Sequence, residues 1–132
     1  MPIEGLITIA SGFGPTETMD RLQAEVKAKG MTVFARIDHA SSAAKVGMGL
    51  EPTEVLIFGN AKAGTPLMQS NQTIGIDLPL KVLVWRDGSG KTWLSYTDPA
   101  WLAKRHGVLA EIAVATMTSA LDAVTKKATV PS

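Results

Sequence analysis

The 132-residue chain has no cysteine, two histidines, little aromatic content and almost no net charge. Without cysteine there can be no disulfide, thiolate nucleophile, thiolate zinc site or iron–sulfur cluster. The two histidines, His39 and His106, lie far apart in a pattern that resembles no metal-ligand motif, so neither a metal nor a cofactor is expected. Thirteen basic against twelve acidic residues leave a formal charge of +1 with no basic block, which removes the attraction that non-specific nucleic-acid binding needs. No apolar run approaches the roughly 18 residues of a membrane helix. Met1 to Gly5 lacks the basic-then-apolar pattern of a signal peptide. These absences leave a cytoplasmic protein with no nucleic-acid or membrane partner as the expectation.

With 45% hydrophobic and 19% charged residues, the composition is that of a folded globule, expected as one domain over 1–132. Leu6 to Ala10 reads as a first strand. From Thr16 to Lys29, Met19, Leu22 and Val26 recur at helical spacing, with Gly30 as the left-handed stop. Met31 to Ile37 and Glu54 to Phe58 read as strands, the latter apolar on both faces and so interior. Asp38 to Leu50 suits a short helix or ordered loop.

Leu80 to Arg86 and Lys91 to Thr97 flank Asp87-Gly88-Ser89-Gly90, a hairpin signal. An even loop would set Trp85 across from Thr92 and place Lys81, Leu83 and Trp85 on one face with Leu94 and Tyr96. Asp98-Pro99 caps and starts a helix that Gly107 ends or bends. Leu109 to Thr125 is helical, with a stripe of Leu109, Ile112, Thr116, Ala120 and Val124, and the tail from Lys126 is expected to fray. Together these give an α+β fold, a two-layer sandwich with helices packed on a mainly antiparallel sheet.

The most informative stretch runs from Val55 to Met68: a buried strand, a glycine-bounded loop, then a helix start. Gly59 to Thr65 almost spells a phosphate loop, but Thr65 stands where that motif needs lysine, which excludes a nucleotide-hydrolysing site. A weaker expectation survives. Gly59 and Gly64 permit close backbone approach, Thr65 would cap the helix, and Asn60, Lys62 and free amides could hold a small anion. Turn chemistry alone also accounts for every residue type in the loop.

Lys81 is the second point of interest, a charge on an otherwise apolar row; it either meets a carboxylate such as Asp77 or snorkels to water at the sheet margin. No serine sits in a nucleophile elbow. An acid–base enzyme would have to draw on Asp38, His39, Lys81 or Tyr96, and a purely structural or assembly protein is the third reading.

Several of these segments carry a resemblance. Ile37-Asp38-His39-Ala40, Gly49-Leu50-Glu51-Pro52-Thr53, Ile57-Phe58-Gly59-Asn60, Gly64-Thr65-Pro66-Leu67-Met68 and Asp77-Leu78-Pro79-Leu80-Lys81 come in order, followed by Leu83-Val84-Trp85, Trp93-Leu94-Ser95-Tyr96, Asp98-Pro99 and Arg105-His106-Gly107. Across nearly its whole length the chain resembles a bacterial family known only as domain of unknown function 302. The resemblance implies a compact two-layer α/β domain, usually a homodimer, and it transfers no catalytic residue. It also suggests His39 as a pocket residue. Ala61 stands where that family usually has proline, which leaves the loop less rigid. The reading taken forward is a homodimeric binding module for a small anionic metabolite, held by Gly59, Asn60, Lys62, Gly64 and Thr65 with Lys81 and His39.

Overall fold

A computed structural model describes residues 2–131. Five antiparallel strands form one open sheet in the order β1-β5-β4-β3-β2: β1 Leu6–Ala10, β2 Thr32–Asp38, β3 Thr53–Gly59, β4 Leu80–Arg86 and β5 Thr92–Thr97. Helices α1 Pro15–Ala28, α3 Ala61–Ser70, α4 Pro99–His106 and α5 Glu111–Thr129 contribute to the core beneath it, and a short α2, His39–Lys45, follows β2. A 3-10 turn, Gln72–Ile76, links α3 to β4. The fold is α+β, with β3 an interior strand.

Helix α1 buries Met19, Leu22 and Val26, and Gly30 beyond its end has φ +78°. Asp98 caps α4 through the Ala100 N–H, and Gly107 closes it at φ +64°. Helix α2 is shorter than the Asp38–Leu50 segment suggested, with Asp38 as its cap.

The β4–β5 register corrects the hairpin expectation. Trp85 pairs with Trp93, Val84 with Leu94 and Val82 with Tyr96, one residue away from the even-loop register. The connection runs from Asp87 to Lys91, because the Asp87 carboxylate accepts from the N–H groups of both Ser89 and Lys91 and so takes Lys91 into the turn. A one-residue slip exchanges the faces of a strand. Val82, Val84, Leu94 and Tyr96 therefore share the helix-covered core with Leu56 and Phe58, while Lys81, Leu83 and Trp85 lie on the other face with Trp93.

Helix α5 corrects a second expectation. Its buried side is Met117, Leu121, Val124, Thr125, Ala128 and Thr129, whereas Leu109 and Ile112 are 87% and 85% exposed. The segment from Lys126 does not fray before Thr129. Thr125 and Thr129 send their hydroxyls back to carbonyls one turn earlier, which satisfies them inside the core, and the Thr129 carbonyl accepts from the Gly12 N–H. Ser132, the last residue of that tail, lies outside the described residues.

The open face of the sheet is strongly apolar. By strand alternation and pairing it carries Ile37, Val55, Ile57, Leu83, Trp85 and Trp93, all partly exposed.

Candidate functional site

Beside the Gly59–Thr65 loop lies a cavity of about 230 Å³. A bulge in β2 brings Phe34 to its lining. Val33 pairs with Phe58 and Ala35 with Ile57, so Phe34 is the extra residue; it is 58% exposed and turns to the cavity edge. The wall is made largely of Met31, Phe34, Met68, Leu78, Pro79 and Met117.

Glycines keep the space open. A Cβ built on Gly64 would sit 3.7 Å from Leu78 Cδ1, and one on Gly75 would sit 3.4 Å from the Met68 sulfur. Any longer side chain at Gly64 would project into the volume between them.

The loop itself differs from the sequence expectation. Asn60, not Thr65, caps α3: its side-chain oxygen accepts from the Lys62 N–H at 2.8 Å. Its carbonyl accepts from the N–H groups of Ala63 and Gly64 at 3.0 and 2.9 Å. Helix α3 thus begins at Ala61, five residues earlier than a Thr65 cap would allow, and Thr65 and Pro66 fall inside it. The amides of Lys62, Ala63 and Gly64 are spent on the helix start and do not converge on a ligand.

Helical spacing sorts the expected site residues. Asn60, Ala61, Gly64 and Met68 share the side of α3 that lines the cavity, together with Gly59 at the strand end. Lys62 lies on the opposite side of the helix, and neither it nor Thr65 lines the cavity. Lys81 is exposed, and its ammonium donates to the carbonyls of Asp77 and Pro79 at 3.4 and 3.2 Å, the sheet-margin arrangement. His39 is exposed at the start of α2 and is not among the cavity residues.

The acid–base candidates do not share one cleft. Asp38 is used as a helix cap, and Lys81 and Tyr96 occupy opposite faces of the sheet. Burial pushes the Tyr96 phenol above its ordinary range, with the Thr125 hydroxyl bond opposing it.

Sequence reasoning missed a polar cluster behind the cavity wall. His106 closes α4 with its side chain only 9% exposed. Its Nε2 meets the Asp77 carboxylate and its Nδ1 lies 2.9 Å from the Thr73 hydroxyl. Arg105 donates to the same Asp77 oxygen at 2.8 Å. Asn71 donates from its side-chain nitrogen to the His106 carbonyl. The available signal was charge: Arg105-His106 at a helix C-terminus favours a carboxylate nearby, yet Asp77 is distant in sequence and Lys81 looked like its partner. Among the described residues, no three His, Asp or Glu side chains are grouped to hold a metal ion.

Comparison with known proteins adds four matches. The model of the family described as "Domain of unknown function DUF302" matches residues 7–128. The protein named fluoride-specific ion channel FluC 1 of Brucella suis biovar 1 (strain 1330) is 49% identical over 126 residues, covering 94% of this chain and 50% of that one. Its namesake in Brucella abortus biovar 1 (strain 9-941) is likewise 49% identical over 126 residues, covering 94% of this chain and 47% of that one. The chain thus spans about half the length of the curated relatives it matches. Among its described residues no helix is long and apolar enough to cross a membrane. A crystal structure of an uncharacterized conserved DUF302 protein from Bacillus stearothermophilus superposes with a TM-score of 0.84 at 21% identity, covering 96% of this chain and 99% of that one, a likeness of fold.

Proposed function

The chain belongs to the family of the domain of unknown function DUF302, and on that footing we propose that it is a homodimeric binding module for a small, largely apolar molecule held beside the Gly59–Thr65 loop. The carrying observation is the cavity of about 230 Å³, walled by methionine, phenylalanine, leucine and proline side chains. A dry engineered cavity of roughly 150 Å³ takes up benzene, so a space of this size suits a molecule larger than one ring. Methionine walls adapt to the shape of what they hold. A ligand's polar end fits only at the mouth, where the Asn60 side-chain nitrogen has no protein partner among the described residues. The small anion expected from sequence is the weaker form of this reading, since the loop amides bond within α3 and Lys62 lies on its far side.

The dimer part of the proposal rests on the open sheet face, whose apolar row through Leu83, Trp85 and Trp93 is the kind of surface that monomers seldom leave in water.

Titration with the neutral fluorophore N-phenyl-1-naphthylamine tests the cavity. Saturable emission that Gly64→Leu abolishes without unfolding supports it. Emission unaffected by that substitution, or none at all, removes it.

A second reading is favoured by the Brucella proteins, in which a closely similar sequence occupies about half of a protein named for fluoride channelling. On it, this chain works as a companion domain to such a channel. Fluoride efflux from liposomes holding the other half of the Brucella suis protein, measured with and without this chain, decides it; equal rates and no co-purification of the two would exclude it.

A further inference from the structure

We propose that His106 is a proton-linked positioning residue for the cavity, clasping the 3-10 turn that forms part of its wall; this rests on the ligand-binding reading above. The argument is a count of protons. Thr73 has one hydroxyl hydrogen, and Asn71 Oδ1 lies 3.0 Å from that hydroxyl as an acceptor. With the hydrogen given to Asn71, the Thr73 oxygen can only accept from His106 Nδ1, 2.9 Å away. The other ring nitrogen, Nε2, faces the Asp77 carboxylate, which also only accepts when ionised.

Both ring nitrogens carry hydrogen only in the imidazolium. In that form Asp77, His106, Thr73 and Asn71 are joined in one uninterrupted chain. In the neutral imidazole one link must be given up: Thr73 turns its hydrogen to Nδ1 and leaves Asn71 Oδ1 held only by the Thr73 N–H at 3.1 Å, or the ring releases Thr73 or Asp77.

The clasp grips the turn at both ends. Asn71 precedes it and Asp77 follows it, while Gly75 between them and Leu78 and Pro79 just beyond line the cavity. Asn71 also holds the His106 carbonyl, so the end of α4 and the turn move together.

Other charges surround the ring. Arg105 pairs with the same carboxylate at 2.8 Å and Lys81 reaches the Asp77 carbonyl at 3.4 Å. Lys104 is exposed on the same helix. Glu111 opens the neighbouring α5 and makes no ion pair among the described residues. Only the doubly protonated ring completes the hydrogen-bonded chain. Proton uptake therefore firms the wall, and an apolar guest binds more tightly at lower pH.

The experiment measures N-phenyl-1-naphthylamine affinity from pH 8 to pH 5, the interval in which histidine side chains change charge. Separately, without the fluorophore, it measures hydrogen exchange of the Gly75 and Ile76 amides, corrected for intrinsic rates. The wild type should bind about tenfold more tightly at the acid end, the size of one charge-assisted hydrogen bond, and protect both amides better there. His106→Gln keeps a donor for Asp77 but does not titrate, so its affinity and protection should be flat with pH. Thr73→Val removes both hydroxyl links, to His106 and to Asn71, and should blunt the response, which serves if His106→Gln does not fold. Equal wild-type protection and affinity at both ends, or a response that survives His106→Gln, overturns the clasp. Acid-dependent protection with no fluorophore binding at any pH overturns the cavity reading and leaves the clasp standing.

Discussion

Trp85 lies directly across from Trp93 in the β4–β5 ladder, with ring centroids 6.1 Å apart and planes inclined by 26°. The Trp85 indole nitrogen donates to the Ser95 hydroxyl, which in turn meets Thr8 on β1. The two indoles make a half-exposed apolar surface on the side of the sheet away from the main core, with the buried Ser95 hydroxyl beneath them.

If two copies pair through that surface, a buried carboxylate in its middle must separate them, because it would lose its hydration with no partner charge. Leu83→Glu should convert a species of twice 13.9 kDa into one of 13.9 kDa by sedimentation at micromolar concentration, with the circular dichroism of the fold retained. A wild-type chain that sediments as a monomer, or a variant that still pairs, would count against this face.

Asp87 gives a pH prediction with a definite sign. The Trp93 indole N–H holds its carboxyl far below the usual carboxylate range, assisted by the Ser89 hydroxyl and the Lys91 amide. A lowered folded value contributes stability that is complete above the unfolded value, near 4, and is lost as pH falls towards the folded one. The wild type should therefore lose more thermal stability between pH 5 and pH 2 than Asp87→Asn does. Parallel acid limbs for the two proteins would refute it.

The buried side of α5 is open to direct measurement. Leu121 is almost wholly buried whereas Ile112 is 85% exposed. Leu121→Ala should cost about 2–5 kcal/mol in urea unfolding, and Ile112→Ala should stay within about 0.5 kcal/mol. Similar costs at the two sites would mean the helix is rotated from the arrangement described here.

The same helix shows how far the sequence could be read. Its helical character was plain from composition, but its stripe was not, because alanine and threonine alternate with larger residues all round it. Leu109 and Ile112 look like core, and Thr125 and Thr129 look like surface. Only the neighbouring α1 decides that the threonines go inside, where each hydroxyl finds a carbonyl one turn back. In α1, Met19, Leu22 and Val26 stand among charges, and the stripe is legible without the fold. The hairpin failed by one residue for a comparable reason: glycine marks a turn, but the Asp87 side chain sets its length. In the site, the glycine-rich loop was visible and its chemistry was not. Asn60 and Thr65 are both good helix caps, and choosing the second turned used amides into free ones. The Asp77–His106 pairing needed the packing of α4 against the 3-10 turn, which no local pattern encodes.

That choice of cap is itself testable. The Asn60 side chain satisfies the Lys62 amide at the start of α3, whereas Thr65 sits a full turn inside the helix with no side-chain hydrogen bond among the described residues. Asn60→Ala should therefore destabilise the fold by about 1 kcal/mol, the usual worth of an N-cap, and Thr65→Ala by much less. Asn60→Asp separates capping from recognition. An aspartate caps as well as asparagine, so stability should hold, but it places a carboxylate at the mouth of an apolar cavity and removes the free amide nitrogen there. Binding of N-phenyl-1-naphthylamine should then weaken while the unfolding midpoint stays near that of the wild type. If Thr65→Ala proves the costlier change, the helix begins where the sequence alone suggested, and the amides at Lys62 to Gly64 are again available to an anion.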